Sequence, residues 1–187
     1  MEGVAALLAA YLLGSLPFAY WAARARGVDI FTVGTGNPGA ANVFRVVSRP
    51  LGVLVLLLDI FKGFAAVGVG RLVGLGEGWL TALGAAAVLG HAFSPFLRLR
   101  GGAGLATAVG ASLGISPLIT GMAWIGGGLV LPLLRNTGYT AGIGVVLFVA
   151  LSLLLRQGWL PTVGPVLLFV LVLLVSRLKP LVIPKRP

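Results

Sequence analysis

The sequence predicts an all-α integral membrane protein, one polytopic domain over residues 1–187 with about seven transmembrane helices. Three observations carry this. Hydrophobic residues make up 58% of the chain. Charged residues make up 10%, where a soluble domain needs roughly 25% to cover its water-facing surface. The apolar stretches also approach the roughly 20 residues that a helix needs to cross a bilayer.

The runs fall at about 3–23, 51–73, 79–97, 104–116, 117–134, 140–155 and 159–178. The first is longer than a secretory h-region and follows Met1-Glu2 without a basic n-region, so it reads as a retained span. The fourth is short and bounded by Gly102 and Pro117, which leaves a choice between six and seven spans. Charge placement chooses. With seven spans and the N-terminus outside, the inner face collects Arg24, Arg26, Arg45, Arg49, Arg98, Arg100, Arg135, Arg177, Lys179, Lys185 and Arg186. The outer face keeps Arg71 and Arg156, and Lys62 lies within a span. This asymmetry follows the positive-inside rule and puts the C-terminus in the cytoplasm. Pairs such as Gly110 and Gly114 suit close helix contact, and no internal repeat is evident.

Composition also limits the chemistry. The net charge of +10 invites a nucleic-acid partner, but the basic residues punctuate the ends of apolar runs instead of clustering on one soluble face. No nucleic acid is expected. The absence of cysteine excludes thiol catalysis and disulfides, and one histidine with four acids leaves too few ligands for a metal centre. No cofactor is expected either.

Three polar loops share the inner face. The first runs Gly34-Thr35-Gly36-Asn37-Pro38-Gly39-Ala40-Ala41-Asn42-Val43-Phe44-Arg45. Its glycines and proline exclude a regular helix over 34–39 and let successive N–H groups converge on an anion. Arg45 can fork two hydrogen bonds onto a phosphate. An ordinary connecting loop is the plain alternative. The second runs from Gly90 and His91 through Arg98 and Arg100 to Gly101-Gly102-Ala103-Gly104, leading into a helix as an N-terminal anion site would. It lacks the Gly-Lys-Ser/Thr ending of a nucleotide-binding loop. The third, Arg135-Asn136-Thr137-Gly138, repeats the pattern in miniature. His91 suits a base, a phosphate ligand or a brace at a helix end. Asp59 and Lys62 lie three apart on one helix face and can pair, as a functional group at membrane depth or as a packing lock.

Taken together, the ordered motifs resemble those of the bacterial acyl-phosphate-dependent glycerol-3-phosphate acyltransferases, small seven-span enzymes of the inner membrane. The resemblance runs nearly end to end: Gly14-Ser15-Leu16-Pro17 with Tyr20, the stretch Gly34 to Arg45, Asp59-Ile60-Phe61-Lys62-Gly63, and the stretch Gly90 to Thr107. It implies transfer of an acyl chain from acyl phosphate to the 1-hydroxyl of glycerol 3-phosphate, beside membrane lipid, without metal or cofactor. On that resemblance Thr35, Gly36, Asn37 and Arg45 would hold one phosphate, and Arg98, Arg100, Gly101, Gly102 and Gly104 the other. Asn136 would add a substrate contact. His91 and Asn42 would position the attacking hydroxyl or brace the loops. One departure stands out: Ala103 occupies the place of the lysine in the family's Gly-Gly-Lys-Gly. Either Arg98 or Arg100 supplies the missing cation, or the chain is a divergent, weakly active paralogue. A transporter or binding protein for a phosphorylated metabolite is the reading from another class.

Overall fold

The structure, a computed structural model, describes residues 2–134 and 136–182. Those residues form helices and connecting loops, with no β-strand among them. Helix α1 (Glu2–Gly14) stops ahead of Pro17, which has no N–H to donate and disfavours helical geometry in the residue before it. The chain resumes as α2 (Phe18–Arg24), so the first apolar run is one membrane-length stretch broken in the middle. A glycine-rich loop then leads to the short α3 (Ala40–Val46). Next come α4 (Arg49–Leu72) and α5 (Glu77–Ala92), the latter prolonged by a 3-10 turn at Pro95–Leu97. Four further helices follow among the described residues: α6 (Leu105–Ile115), α7 (Pro117–Leu134), α8 (Thr137–Leu154) and α9 (Trp159–Val182).

Four stretches are long and apolar enough to cross a membrane: Gly3–Arg24, Arg49–Leu72, Glu77–Leu97 and Trp159–Leu178. Helices α6, α7 and α8 are apolar but offer shorter described stretches. At 11 residues α6 is only about 16 Å long, roughly half a bilayer core. It is also the innermost helix, with Ala108, Ala111 and Ile115 joining Val67 of α4, Val88 of α5 and Leu168 of α9 in one buried cluster. Large side chains such as Leu8, Leu57, Leu129 and Leu173 are instead exposed. The exterior is as apolar as the interior, which suits lipid as the solvent.

Small residues set the spacing, because lipid gives helices little hydrophobic reason to pair and van der Waals contact must do the work. A β-carbon added at Gly63 would strike the carbonyl oxygen of Thr107, and one at Gly110 would strike that of Ile60, so α4 and α6 touch backbone to backbone. Gly114 meets Val67 in the same seam, as the sequence leads one to expect of the Gly110–Gly114 pair. Gly14 against Ala87 and Gly90 against Tyr11 bring α1 onto α5 in the same way.

The helix ends fall into two groups. At the far end, Arg71 donates to the carbonyls of Gly114 (2.7 Å) and Ile115 (2.6 Å), capping the C-terminus of α6. Ser116 there bonds Gln157, in the connection between α8 and α9. The opposite end gathers the loops over 25–39 and 93–104. Ile30 and Val43 pack with Ala19, Ala23 and Val55, clamping the first loop and α3 against α2 and the first half of α4.

Candidate active site

The polar centre begins on α4. Asp59 and Lys62, one helical turn apart, form an ion pair of 2.8 Å with both side chains almost wholly buried. The third member comes from the end of α5, where His91 Nδ1 lies 2.8 Å from Lys62 Nζ and 3.6 Å from Asp59 Oδ1. Lys62 also donates to the carbonyl of Leu16 (3.0 Å), an oxygen made available by the break between α1 and α2. Its ammonium sits 5.6 Å from the centre of the Phe18 ring, a favourable place for a cation. Lys62 lies 13 residues into α4 from Arg49, about 20 Å along the axis. The cluster therefore lies deep along α4, and the loops reach down to it.

Two loops meet above this centre. A β-carbon at Gly102 would collide with His91 Nε2 and lie 3.0 Å from the carbonyl oxygen of Pro38, so only glycine lets the first loop, the second loop and the imidazole approach this closely. The second loop is tied down by backbone bonds from Gly101 to the carbonyl of Ala92 (3.0 Å) and from Gly102 to that of His91 (3.1 Å). Ser94 fastens it further. Its hydroxyl donates to the carbonyl of Ser15 (2.6 Å), and its own carbonyl accepts from Leu97 and Leu99. Arg98 and Leu99 both adopt positive φ (52° and 65°), which costs a non-glycine residue on the order of 1–2 kcal/mol each. Buried Ser94 holds that strained turn in place. A narrow cleft lies between Ser15–Ala19, Pro38, Asp59, His91 and Gly101–Gly102.

The sequence-derived candidates separate into three groups. His91, Gly101 and Gly102 line the cleft. Asn42 is buried beside it and commits its amide to the first loop, accepting from the N–H of Thr35 (3.1 Å) and donating to the carbonyls of Val33 (3.1 Å) and Ile30 (3.4 Å). That geometry is a brace. Thr35, Gly36 and Asn37 form the braced turn, in which Gly34 and Gly36 take positive φ and Thr35 Oγ1 accepts from the N–H of Asn37. Gly104, also at positive φ, starts α6. Arg45 and Arg98 are exposed and Arg100 is half-buried; none makes a side-chain hydrogen bond or ion pair among the described residues. Their guanidinium groups are free to meet an anion. Asn136 stands apart: exposed, it caps α8 by accepting from the N–H groups of Gly138 and Tyr139, while Arg135 lies outside the described residues.

Sequence reasoning treated His91 and the Asp59–Lys62 pair as separate features, and the structure makes them one cluster. It placed Ser15 in the Gly14–Pro17 motif and Ser94 in the second loop but gave neither a role, because the bond between them joins residues 79 apart.

A buried Lys–Asp–His cluster, roofed by glycine loops with unpaired arginines at their margins, marks the chain as a helical membrane protein with a polar centre towards one end. The family model of the glycerol-3-phosphate acyltransferases matches residues 4–181, and the chain belongs to that family. A glycerol-3-phosphate acyltransferase of Geotalea daltonii is 49% identical over 112 residues, which are 60% of this chain and 58% of that one. The matched region thus spans less than two thirds of that relative's length. The acyltransferase of Aquifex aeolicus is 39% identical over 153 residues, 79% of each chain. Among solved structures, the chain is similar to PlsY (YgiH), an integral membrane glycerol 3-phosphate acyltransferase captured in its glycerol 3-phosphate form. The TM-score is 0.84 at 27% identity, covering 100% of this chain and 95% of that one.

Proposed function

We propose that the protein transfers an acyl chain from acyl phosphate to the 1-hydroxyl of glycerol 3-phosphate, releasing lysophosphatidic acid and inorganic phosphate. The observation that carries this is the convergence of Pro38, His91 and Gly102 on one cleft over the buried Asp59–Lys62 pair, in a chain of this family. An acyl phosphate is a mixed anhydride and already activated, so orientation and charge stabilisation suffice. The hydroxyl oxygen bonds to the acyl carbon, the bond from that carbon to the phosphate oxygen breaks, and the hydroxyl proton passes to a phosphate oxygen. The loop carrying Thr35, Gly36 and Asn37, with Arg45, binds one phosphate. Gly101, Gly102 and Gly104, with Arg98 and Arg100, bind the other. Asn42 holds the first loop in shape, and Asn136 contributes from the α7–α8 turn.

The positive-inside rule supports seven spans, with the N-terminus outside and the site facing the cytoplasm of a bacterial inner membrane. Arg24, Arg26, Arg45, Arg49, Arg98 and Arg100 flank the loops at the site end, against Arg71 and Arg156 at the other. Helix α6 crosses in this arrangement despite its length, because its polar ends are covered by protein.

Purified protein given an acyl phosphate and labelled glycerol 3-phosphate should form labelled lysophosphatidic acid. The Arg45→Ala variant should lose at least about 100-fold of that rate while keeping its helical content. Turnover that appears only in the Ala103→Lys variant would show that the wild-type chain is an impaired paralogue. Uptake of the label into sealed vesicles without acylation would favour transport.

A further inference from the structure

The second loop carries a turn with two unlike faces. Ser94 and Leu97 are buried and line the cleft. Phe96 (57%) and Leu99 (48%) are exposed, and so is Arg98 between them. The turn is firmly built. The N–H groups of Leu97 (3.1 Å) and Leu99 (2.8 Å) both donate to the Ser94 carbonyl, that of Arg98 donates to Pro95 (3.2 Å), and that of Arg100 donates to Leu97 (3.1 Å). Its outward side chains are therefore held in place, and against a local preference. Arg98 and Leu99 occupy the left-handed region (φ 52° and 65°), which glycine would enter freely and a bulky leucine rarely does.

In water such a display gains nothing, whereas in lipid the same apolar surface is buried. The height of the turn decides between the two. The membrane-length stretch that begins at Glu77 ends at Leu97, inside this turn. Phe96 and Leu99 therefore lie where hydrocarbon gives way to headgroups. Neighbouring stretches repeat the arrangement on this side. Exposed Trp21 precedes Arg24 at the end of the first stretch, and exposed Phe44 stands before Arg49 at the start of the second. Aromatic side chains beside arginines mark a membrane interface, and the arginines complement anionic lipid.

We propose that the Pro95–Leu99 turn is an interfacial anchor: Phe96 and Leu99 insert into the adjoining leaflet of a bilayer with anionic lipid, and Arg98 stands among its phosphates. The anchor fixes the height of the loop that carries Gly101 and Gly102. Arg98, assigned above to a substrate phosphate, is thereby set at the level of lipid phosphates. An acyl phosphate with its tail in the bilayer presents its own phosphate at that level, so the donor is received from the leaflet and not from water. This use of the anchor rests on the acyl-transfer reading above; insertion itself does not.

The chain contains no cysteine, so a single introduced cysteine can carry a nitroxide without further changes. Labelled Phe96→Cys and Leu99→Cys, in bilayers containing anionic lipid, should collide more with oxygen, which concentrates in hydrocarbon, than with a water-soluble nickel chelate. Leu57→Cys, on the exposed face of α4 within the membrane, and Thr32→Cys, exposed in the first loop, supply the lipid and water references. Accessibility at both sites matching that of Thr32→Cys would overturn the proposal and leave the patch to a soluble protein partner. The Phe96→Ser/Leu99→Ser variant tests how the anchor is used. Its KM for a long-chain acyl phosphate held in the bilayer should rise about tenfold, while kcat and the rate with a short, water-soluble acyl phosphate stay within about twofold of wild type. An unchanged KM for the long-chain donor, or equal losses with both donors, would refute a part in receiving substrate. Should the wild type transfer no acyl group, the proposed reaction fails while the nitroxide still decides insertion.

Discussion

Helix α4 takes part in two ion pairs, with both partners of one and one partner of the other, and the two pairs could hardly be placed more differently. Asp59 and Lys62 lie mid-helix, 2.8 Å apart, with side chains 3% and 1% exposed. Arg71, in the last turn, faces Glu77 across the α4–α5 connection at 3.7 Å, with side chains 45% and 34% exposed. In the first pair the buried Asp59 carboxylate depends on the Lys62 cation, which itself is also held by the Leu16 carbonyl, His91 and the Phe18 ring. In the second, solvent screens the attraction, and the pair itself is worth only about 0–1 kcal/mol. Arg71 matters for another reason: its guanidinium closes the end of α6. Placement, more than charge, determines what each pair contributes.

The comparison can be pressed by substitution, reading helical content during thermal unfolding in detergent. Lys62→Met should cost the most, about 3–5 kcal/mol, because it leaves the Asp59 carboxylate buried without its cation. Removing both charges in Asp59→Asn/Lys62→Met should cost clearly less than Lys62→Met alone; an equal or larger loss would mean that the pair is a source of net stability. Arg71→Ala should cost about 1.5–3 kcal/mol through the two lost charge-assisted bonds to α6. Glu77→Gln should change stability by less than about 1 kcal/mol. If Glu77→Gln matched Arg71→Ala, the ion pair and not the helix cap would explain Arg71.

The same contrast shows what was legible in the sequence. Asp59 and Lys62 could be paired from their spacing, because a three-residue step on a helix dictates proximity. Gly110 and Gly114 announced a close helix contact for a similar local reason, but not that α4 would make it. His91 could not be joined to the pair, since 29 residues and a turn separate it from Lys62 and only the packing of α4 against α5 brings them together. Arg71 looked like a topology signal, because the carbonyls it caps lie on α6, more than 40 residues away. Asn42 was recognised as a site residue, and its brace on the Ile30–Thr35 backbone depended on the path of the first loop. Pro17 marked a possible break within the first apolar run, yet its hydrophobicity alone read as one continuous span. The short α3 was likewise hidden behind the glycines that precede it.

That break has a consequence for how the protein is made. The chain presents its first apolar stretch to the bilayer before the later ones exist, and the carbonyl of Ser15 then lacks its donor, while that of Leu16 has only the N–H of Phe18 (3.2 Å). The donors still to come are Ser94, beyond α5, and Lys62, on α4. An unpaired carbonyl in hydrocarbon costs several kcal/mol, so the opening segment is an unfinished membrane helix on its own. Its integration is completed by parts of the chain translated up to about eighty residues later. Ser94 and Lys62 thus complete the first apolar stretch as well as the cleft: the same two side chains that meet its broken backbone belong to the elements that build the site.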